Sequence, residues 1–136
     1  KTPGQINVSY VNSTKHIVAW HKHNIQTDYW VCLKGSFKVG LAKGYGEVEW
    51  QYLSDKNFRV LEIPPNIYHG YRALEPDSIL MYYLTEKYNP EDEIRAEVNS
   101  FGEEWDNLKK FNLLTQEAIT NCQLMKAWTG KTLLNL

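Results

Sequence analysis

From Gln5 to about Thr85 the chain is a succession of short β-branched and aromatic stretches, each punctuated by Gly, Pro, Asn or Asp. "QINVSYV", "HIVAWHKH", "DYWVCLKG", "SFKVGLA", "EVEWQYL", "FRVLEIP" and "SILMYYLT" carry the residue types that fit a pleated, half-buried surface. Their regular spacing predicts an all-β domain, a sandwich or small barrel. Between them "KGS" and "AKGYGE" supply hairpin-type glycines, and Pro64 and Pro65 of "IPPN" fix φ and withhold donors, which forces an extended turn. At 136 residues the chain is long enough for one core without a covalent staple.

Strict alternation in "HIVAWHKH" puts Val18, Trp20 and Lys22 on one side and Ile17, Ala19, His21 and His23 on the other, so the two histidines share a face. After "TEKYNPEDE" the composition changes. From about Pro90 onward charged residues, Leu, Ala and Gln dominate, and Leu113, Leu114, Ala118, Ile119, Cys122, Met125 and Trp128 fit one helix face, with Thr115 as its cap. The chain therefore divides into a β domain over 1–110 and a helical extension over 111–136, packed on the domain or on a dimer partner.

Fifteen basic and 16 acidic residues give a formal charge of -1. That balance carries no nucleic-acid footprint, and an anionic ligand has to be met by a local cluster. Cys32 and Cys122 have neither metal nor redox spacing, which fits reduced, buried thiols in a cytoplasmic protein. No signal sequence and no span of about 18 apolar residues is present, so no membrane partner is expected. The sequence begins at Lys1 without a methionine, which points to residues upstream of it. Trp20, Trp30 and Trp50 read as core or interface side chains.

Three of the four histidines fall into a pattern. His21-x-His23, four residues, Asp28, six residues, Gly35 resembles the first cupin motif, with Asp in place of Glu. "PPNIYH" resembles the second, with Asn66 at the glycine position, and brings in His69. The two motifs lie on separate strands, so a jelly-roll β-barrel can point His21, His23, Asp28 and His69 at one interior cavity. The flanks narrow the resemblance. "EIPPNIYHGYRALEPDSILMYYLTEKYNPEDE" is similar to the second half of the dTDP-4-dehydrorhamnose 3,5-epimerase family, with its run of Tyr82, Thr85, Tyr88, Pro90 and Glu93. "AWHKHNIQTDYWVCLKGSFKVGLA" resembles a divergent, epimerase-related branch of it.

The resemblance implies an enzyme, a cofactor-independent isomerase of nucleotide-diphosphate sugars. Family members remove an acidic proton beside the C4 ketone of a 4-keto-6-deoxy sugar and return one on the opposite face, at C3, C5 or both. This needs a base, an acid across the ring, and a group to hold the enolate charge. Residue by residue, the resemblance implies His21 as base and Tyr82 as acid, with His23, Asp28, His69 and Tyr88 around the sugar. Arg72 and Lys22 are the candidates for the diphosphate or for electrophilic help. It also implies a homodimer in the cytoplasm that supplies a deoxysugar to a surface polysaccharide such as the O-antigen of lipopolysaccharide. Two departures stand out. The family keeps a lysine that stabilises the enolate where this sequence has Asp28, and the carboxylate that the family pairs with its histidine from a later segment has no recognisable counterpart.

Two other readings stay open on the residues alone. His21, His23, Asp28 and His69 match a three-His-one-carboxylate cage, which would make the chain a metal-dependent dioxygenase or isomerase. A sugar-binding relative without turnover is the third reading, favoured by the missing lysine.

Overall fold

A computed structural model describes residues 3–106. Strands β1 (Gln5–Val11), β2 (Ile17–His23), β3 (Asp28–Lys34), β4 (Ser36–Gly44), β5 (Glu47–Ser54), β6 (Leu61–Ile63), β7 (Tyr68–Ala73) and β8 (Ser78–Leu84) are followed by a single 3-10 turn, Pro90–Asp92, and by β9 (Glu93–Arg95). They form a four-stranded sheet in the order β1-β8-β3-β6 and a five-stranded sheet in the order β5-β4-β7-β2-β9. Every pairing is antiparallel. This is the jelly roll that the cupin resemblance implies, and the described residues up to Glu103 form one compact unit.

The inner faces of both sheets build the core. Trp30 and Leu80 come from the four-stranded sheet, and Phe37, Val39, Leu53 and Tyr71 from the five-stranded one. Gly35 turns β3 into β4 at φ +78°, and a β-carbon there would run into the side chain of Ser78, which is fully buried. Only glycine meets both conditions. Cys32 is buried and unpaired, and its thiol points at the carbonyls of Lys34 and Gly35.

Three features differ from the sequence expectations. The strand-like stretches omit Tyr68–Ala73, yet this segment is β7, the strand between β4 and β2 that carries His69. In "FRVLEIP" only Leu61–Ile63 pairs, and Phe58 and Val60 are exposed. The strict alternation of β2 also fails. Ile17 and Val18 face Arg72 and Tyr71, but His21 faces His69, because the register slips between Val18 and His21. Tyr71 and His69 are two apart and share a face, so Val18 and His21 both turn inward, and Val18 does not lie opposite the histidines.

The drift toward helical composition after Pro90 does not produce an α-helix within the described residues. Asn89 caps the 3-10 turn by accepting the Glu91 N–H, and the chain then returns to the sheet as β9 beside β2. Ala96 exchanges backbone hydrogen bonds with Trp20, and Phe101 packs edge-on against the Trp20 ring. The buried Glu103 accepts the indole N–H of Trp20 at 2.7 Å, so this segment covers the outer side of β2. The extension expected over 111–136, with Cys122, lies outside the described residues.

Asn66 shows how sequence and backbone agree at the turn before β7. Its φ of +67° lies in the left-handed region, where glycine stands in the resembling motif and where Asn is the best-tolerated alternative. Its N–H donates to the His23 carbonyl at 2.7 Å, which ties the turn to the end of β2 three residues before His69. Asn66→Gly is expected to leave stability within about 1 kcal/mol, whereas Asn66→Val costs about 1–2 kcal/mol for the left-handed conformation. Urea unfolding midpoints of the two variants check this, and a well-tolerated valine would contradict it.

Candidate active site

Two strands of one sheet carry the histidines. The β2–β7 register sets His21 directly across from His69, with ring centroids 4.3 Å apart. His23, two residues further along β2, faces the same way, with its ring 5.8 Å from His21 and 5.7 Å from His69. One ligand nitrogen from each of the three lies within 4.8 Å of the others. Asp28 reaches the cluster from the opposite sheet, and its Oδ2 is 3.4 Å from His69 Nε2. Both side chains are buried, at 3% and 2% exposure.

Hydrogen bonds fix the orientations. A carbonyl only accepts, so the 2.9 Å contact of His69 Nδ1 with the Ile67 oxygen places a proton on Nδ1. Asp28 accepts from the Gln26 amide at 2.7 Å and from the Trp30 indole N–H at 3.1 Å. Burial pushes the Asp28 carboxyl upward, but His69, Gln26 and Trp30 outweigh it and hold the carboxyl below its ordinary range, so Asp28 is an anion at neutral pH. Burial, then the neighbouring His69 and His23, lower His21 from 6.5 to about 3. Burial likewise lowers His23. His21 thus presents an unprotonated ring to the interior.

The other sequence candidates scatter. Tyr82 lies on the inner face of β8, directly across from Trp30, and its hydroxyl is 3.3 Å from Ser9 Oγ. Trp30 touches both Tyr82 and His69, at 6.1 and 5.4 Å between centroids, and so links the two sheets' contributions. Lys22 points to the outer side of β2, its ammonium over the Tyr68 ring. Arg72 also lies on the outer face, one step from the inward Tyr71 and Ala73, and donates through Nε to the Thr14 carbonyl. Tyr88 is exposed beyond β8, its backbone N–H held by Gln5. Neither Lys22, Arg72 nor Tyr88 joins the histidine cluster.

Asp92 was not legible as a site residue. It is buried on the 3-10 turn, accepts the backbone N–H groups of Asn24, Ile25 and Gln26, and lies 4.0 Å from His23 Nδ1. A late carboxylate thus stands beside a site histidine after all, although its partner is His23 and not His21. The "NPED" turn was the available signal, since an acid after Asn-Pro sits where a short helical turn ends. A cavity of about 430 Å³ is lined by Leu41, Val48, Pro64 and Ile67 with Lys43, Glu47 and Glu49 at its charged side, and none of the cluster residues lines it. Leu41 is the β4 register partner of His69.

The lowered His21 pKa has a consequence for stability. Between pH 6.5 and about 3 the unfolded chain protonates this histidine and the folded chain does not. The unfolded state then binds more protons, so stability falls on acidification, by up to about 1.4 kcal/mol per pH unit from this group. In chelator-treated protein, urea midpoints are expected to fall steadily from pH 6.5 toward pH 4, and more shallowly in His21→Asn. Equal slopes would contradict the assignment.

An all-β jelly roll with a histidine cluster between its sheets places the chain among the cupins. The sequence profile of dTDP-4-dehydrorhamnose 3,5-epimerase matches residues 4–119, and the chain belongs to that family. It is 34% identical over 82 residues to the probable low-salt glycan biosynthesis epimerase Agl13 of Haloferax volcanii, covering 54% of this chain and 53% of that protein. It is 35% identical over 82 residues to the spore coat polysaccharide biosynthesis protein SpsL of Bacillus subtilis, covering 55% and 54%. The chain thus spans about half the length of these curated relatives. Among solved structures, a dTDP sugar isomerase from Desulfovibrio desulfuricans superposes with a TM-score of 0.68 at 21% identity, over 77% of this chain and 73% of that one. No described helix is long and apolar enough to cross a membrane.

Proposed function

We propose that the chain is an epimerase of a nucleotide-linked 4-keto-6-deoxy sugar, acting at C3, C5 or both. The observation that carries this reading is the half-buried, unprotonated His21 on one sheet, facing an interior to which the other sheet contributes Tyr82. His21 takes the proton beside the ketone, the C–H electron pair passes into the enolate, and Tyr82 returns a proton from the other side. In the free protein a ring lowered to about 3 is a weak base. The negative charge that develops on the adjacent enolate works against burial and favours the imidazolium as transfer proceeds.

Family membership and the glycan and polysaccharide roles named for the two relatives support a place in surface-polysaccharide synthesis, with the cytoplasm as the setting. A homodimer is part of this reading. Its support is the outer face of edge strand β1, where Ile6, Val8 and Tyr10 are 65%, 45% and 76% exposed. The test is an incubation of the full chain with dTDP-4-keto-6-deoxyglucose, followed by proton NMR of the sugar. Inversion at C3 or C5 is the expected result. A ketone moved to C3 would reassign the chain to keto-isomerisation, and an unchanged sugar with saturable binding would make it a binding protein.

A further inference from the structure

We infer that Ser9 and Tyr71 are positioning residues for Tyr82. The three hydroxyls form a hydrogen-bonded chain between the two sheets, Tyr71 to Ser9 to Tyr82, that holds the Tyr82 oxygen while its proton passes to the sugar. The role in turnover rests on the proposed function, in which Tyr82 is the acid. The hydroxyl chain itself rests on the packing of the interior alone.

Strand β1 inverts the usual pattern of a strand beside a core. Ile6, Val8 and Tyr10 are exposed, whereas Gln5, Asn7 and Ser9 are half-buried on the inner face. Ser9 is the register partner of Leu80, which is fully buried, so its hydroxyl sits among inward side chains. A hydroxyl in such a place costs stability unless it is hydrogen-bonded. It has the Tyr82 hydroxyl at 3.3 Å, where either oxygen can donate. Tyr71 comes to the same place from the other sheet. Its ring is buried, edge-on to Phe37 and Trp30 at 5.7 and 5.6 Å between centroids, and Trp30 also touches Tyr82. Burial pushes the Tyr71 phenol up, the Ser9 hydroxyl works the other way, and Tyr82 adds to the rise. Ser9 and Tyr82 thus both act on the Tyr71 hydroxyl.

The direction of the chain follows from the protons available. Each hydroxyl donates one hydrogen bond and can accept others. Tyr82 has to keep its proton for the sugar carbon, so its oxygen accepts from Ser9, and Ser9 in turn accepts from Tyr71. On delivery the Tyr82 O–H bond breaks, the enolate pair forms the new C–H bond, and the O–H pair stays on the phenolate. The Ser9 hydrogen bond is then made to an anion, which strengthens it, and the Tyr71 bond behind it polarises Ser9 further. Support that grows as the charge develops speeds the transfer without tightening the resting complex. Water reprotonates Tyr82 after the sugar leaves.

The experiment uses the full chain, stripped with chelator, and solvent deuterium exchange into dTDP-4-keto-6-deoxyglucose. Ser9→Ala is expected to lower kcat for exchange about tenfold or more with KM unchanged, and Tyr71→Phe to lower it about threefold. Ser9→Thr, which keeps the hydroxyl, restores the parent rate. In a Tyr82→Phe background neither Ser9→Ala nor Tyr71→Phe lowers the residual exchange further, because the oxygen they serve is gone. Equal losses in both backgrounds, or a Ser9→Ala chain that exchanges like the parent, overturn the positioning role. In chain labelled with ¹³C at tyrosine Cζ, the signals of Tyr71 and Tyr82, assigned through Tyr71→Phe and Tyr82→Phe, are expected to shift in Ser9→Ala and to return in Ser9→Thr. Signals that stay in place overturn the hydroxyl chain. A parent that exchanges no deuterium overturns the epimerase reading and the role in turnover with it, while the labelled signals, which need no turnover, still decide the hydroxyl chain.

Discussion

His21→Asn lowers solvent-deuterium exchange into the sugar by about 10²- to 10⁴-fold, the usual scale for losing a general base. Asparagine keeps a polar side chain of similar reach on β2, so His69 and His23 still face a polar neighbour, but an amide takes up no proton at neutral pH and cannot act as a base. Tyr82→Phe lowers exchange by about 10²-fold or more while leaving the core intact, because the ring packs against Trp30 and only the hydroxyl, 3.3 Å from Ser9 Oγ, is lost. Circular dichroism and urea midpoints of both variants, run in parallel, separate lost chemistry from lost folding. Exchange untouched by both substitutions would remove the two residues from their roles.

Asp28→Ala is the largest expected loss of stability. The carboxylate is 3% exposed and serves the Gln26 amide, the Trp30 indole and the His69 ring at once. Its removal strands the buried Gln26 amide and Trp30 indole donors, and breaking a buried charged network costs about 3–5 kcal/mol. Asp28→Asn keeps one acceptor oxygen and falls between alanine and the parent. Asp28→Lys, the residue type implied by the family at this position, sets an ammonium against existing N–H donors and is expected to do no better than alanine. Denaturant unfolding with unchanged m-values measures the series, and an alanine variant within about 1 kcal/mol of the parent would contradict the network.

The strands were legible because β-branched and aromatic residues repeat between turn formers, and the cluster was legible because His21, His23, Asp28 and His69 keep recognisable spacing. What escaped depends on contacts between segments far apart in sequence. The slip in β2 comes where Gly70 of β7 lets Ala19 approach so closely that a β-carbon on Gly70 would lie 2.5 Å from that of Ala19. No periodicity in "HIVAWHKH" announces it, so alternation alone puts Val18 on the wrong face. Arg72 sits three residues from His69 on β7, and strand alternation therefore turns it outward, away from the inward-facing His69 and Tyr71. Asp92 holds three N–H groups of the 24–26 loop across more than 60 residues of chain, a tertiary bond that composition does not signal. Tyr88, expected around the sugar, is 66% exposed.

The measurement that tests the central claim most directly is mass spectrometry of dTDP- and CDP-4-keto-6-deoxyglucose after incubation with the stripped full chain in D₂O. Proton abstraction beside the ketone predicts solvent deuterium at C3, C5 or both, at a rate that collapses in His21→Asn. Bound sugar recovered without deuterium at either carbon would contradict it.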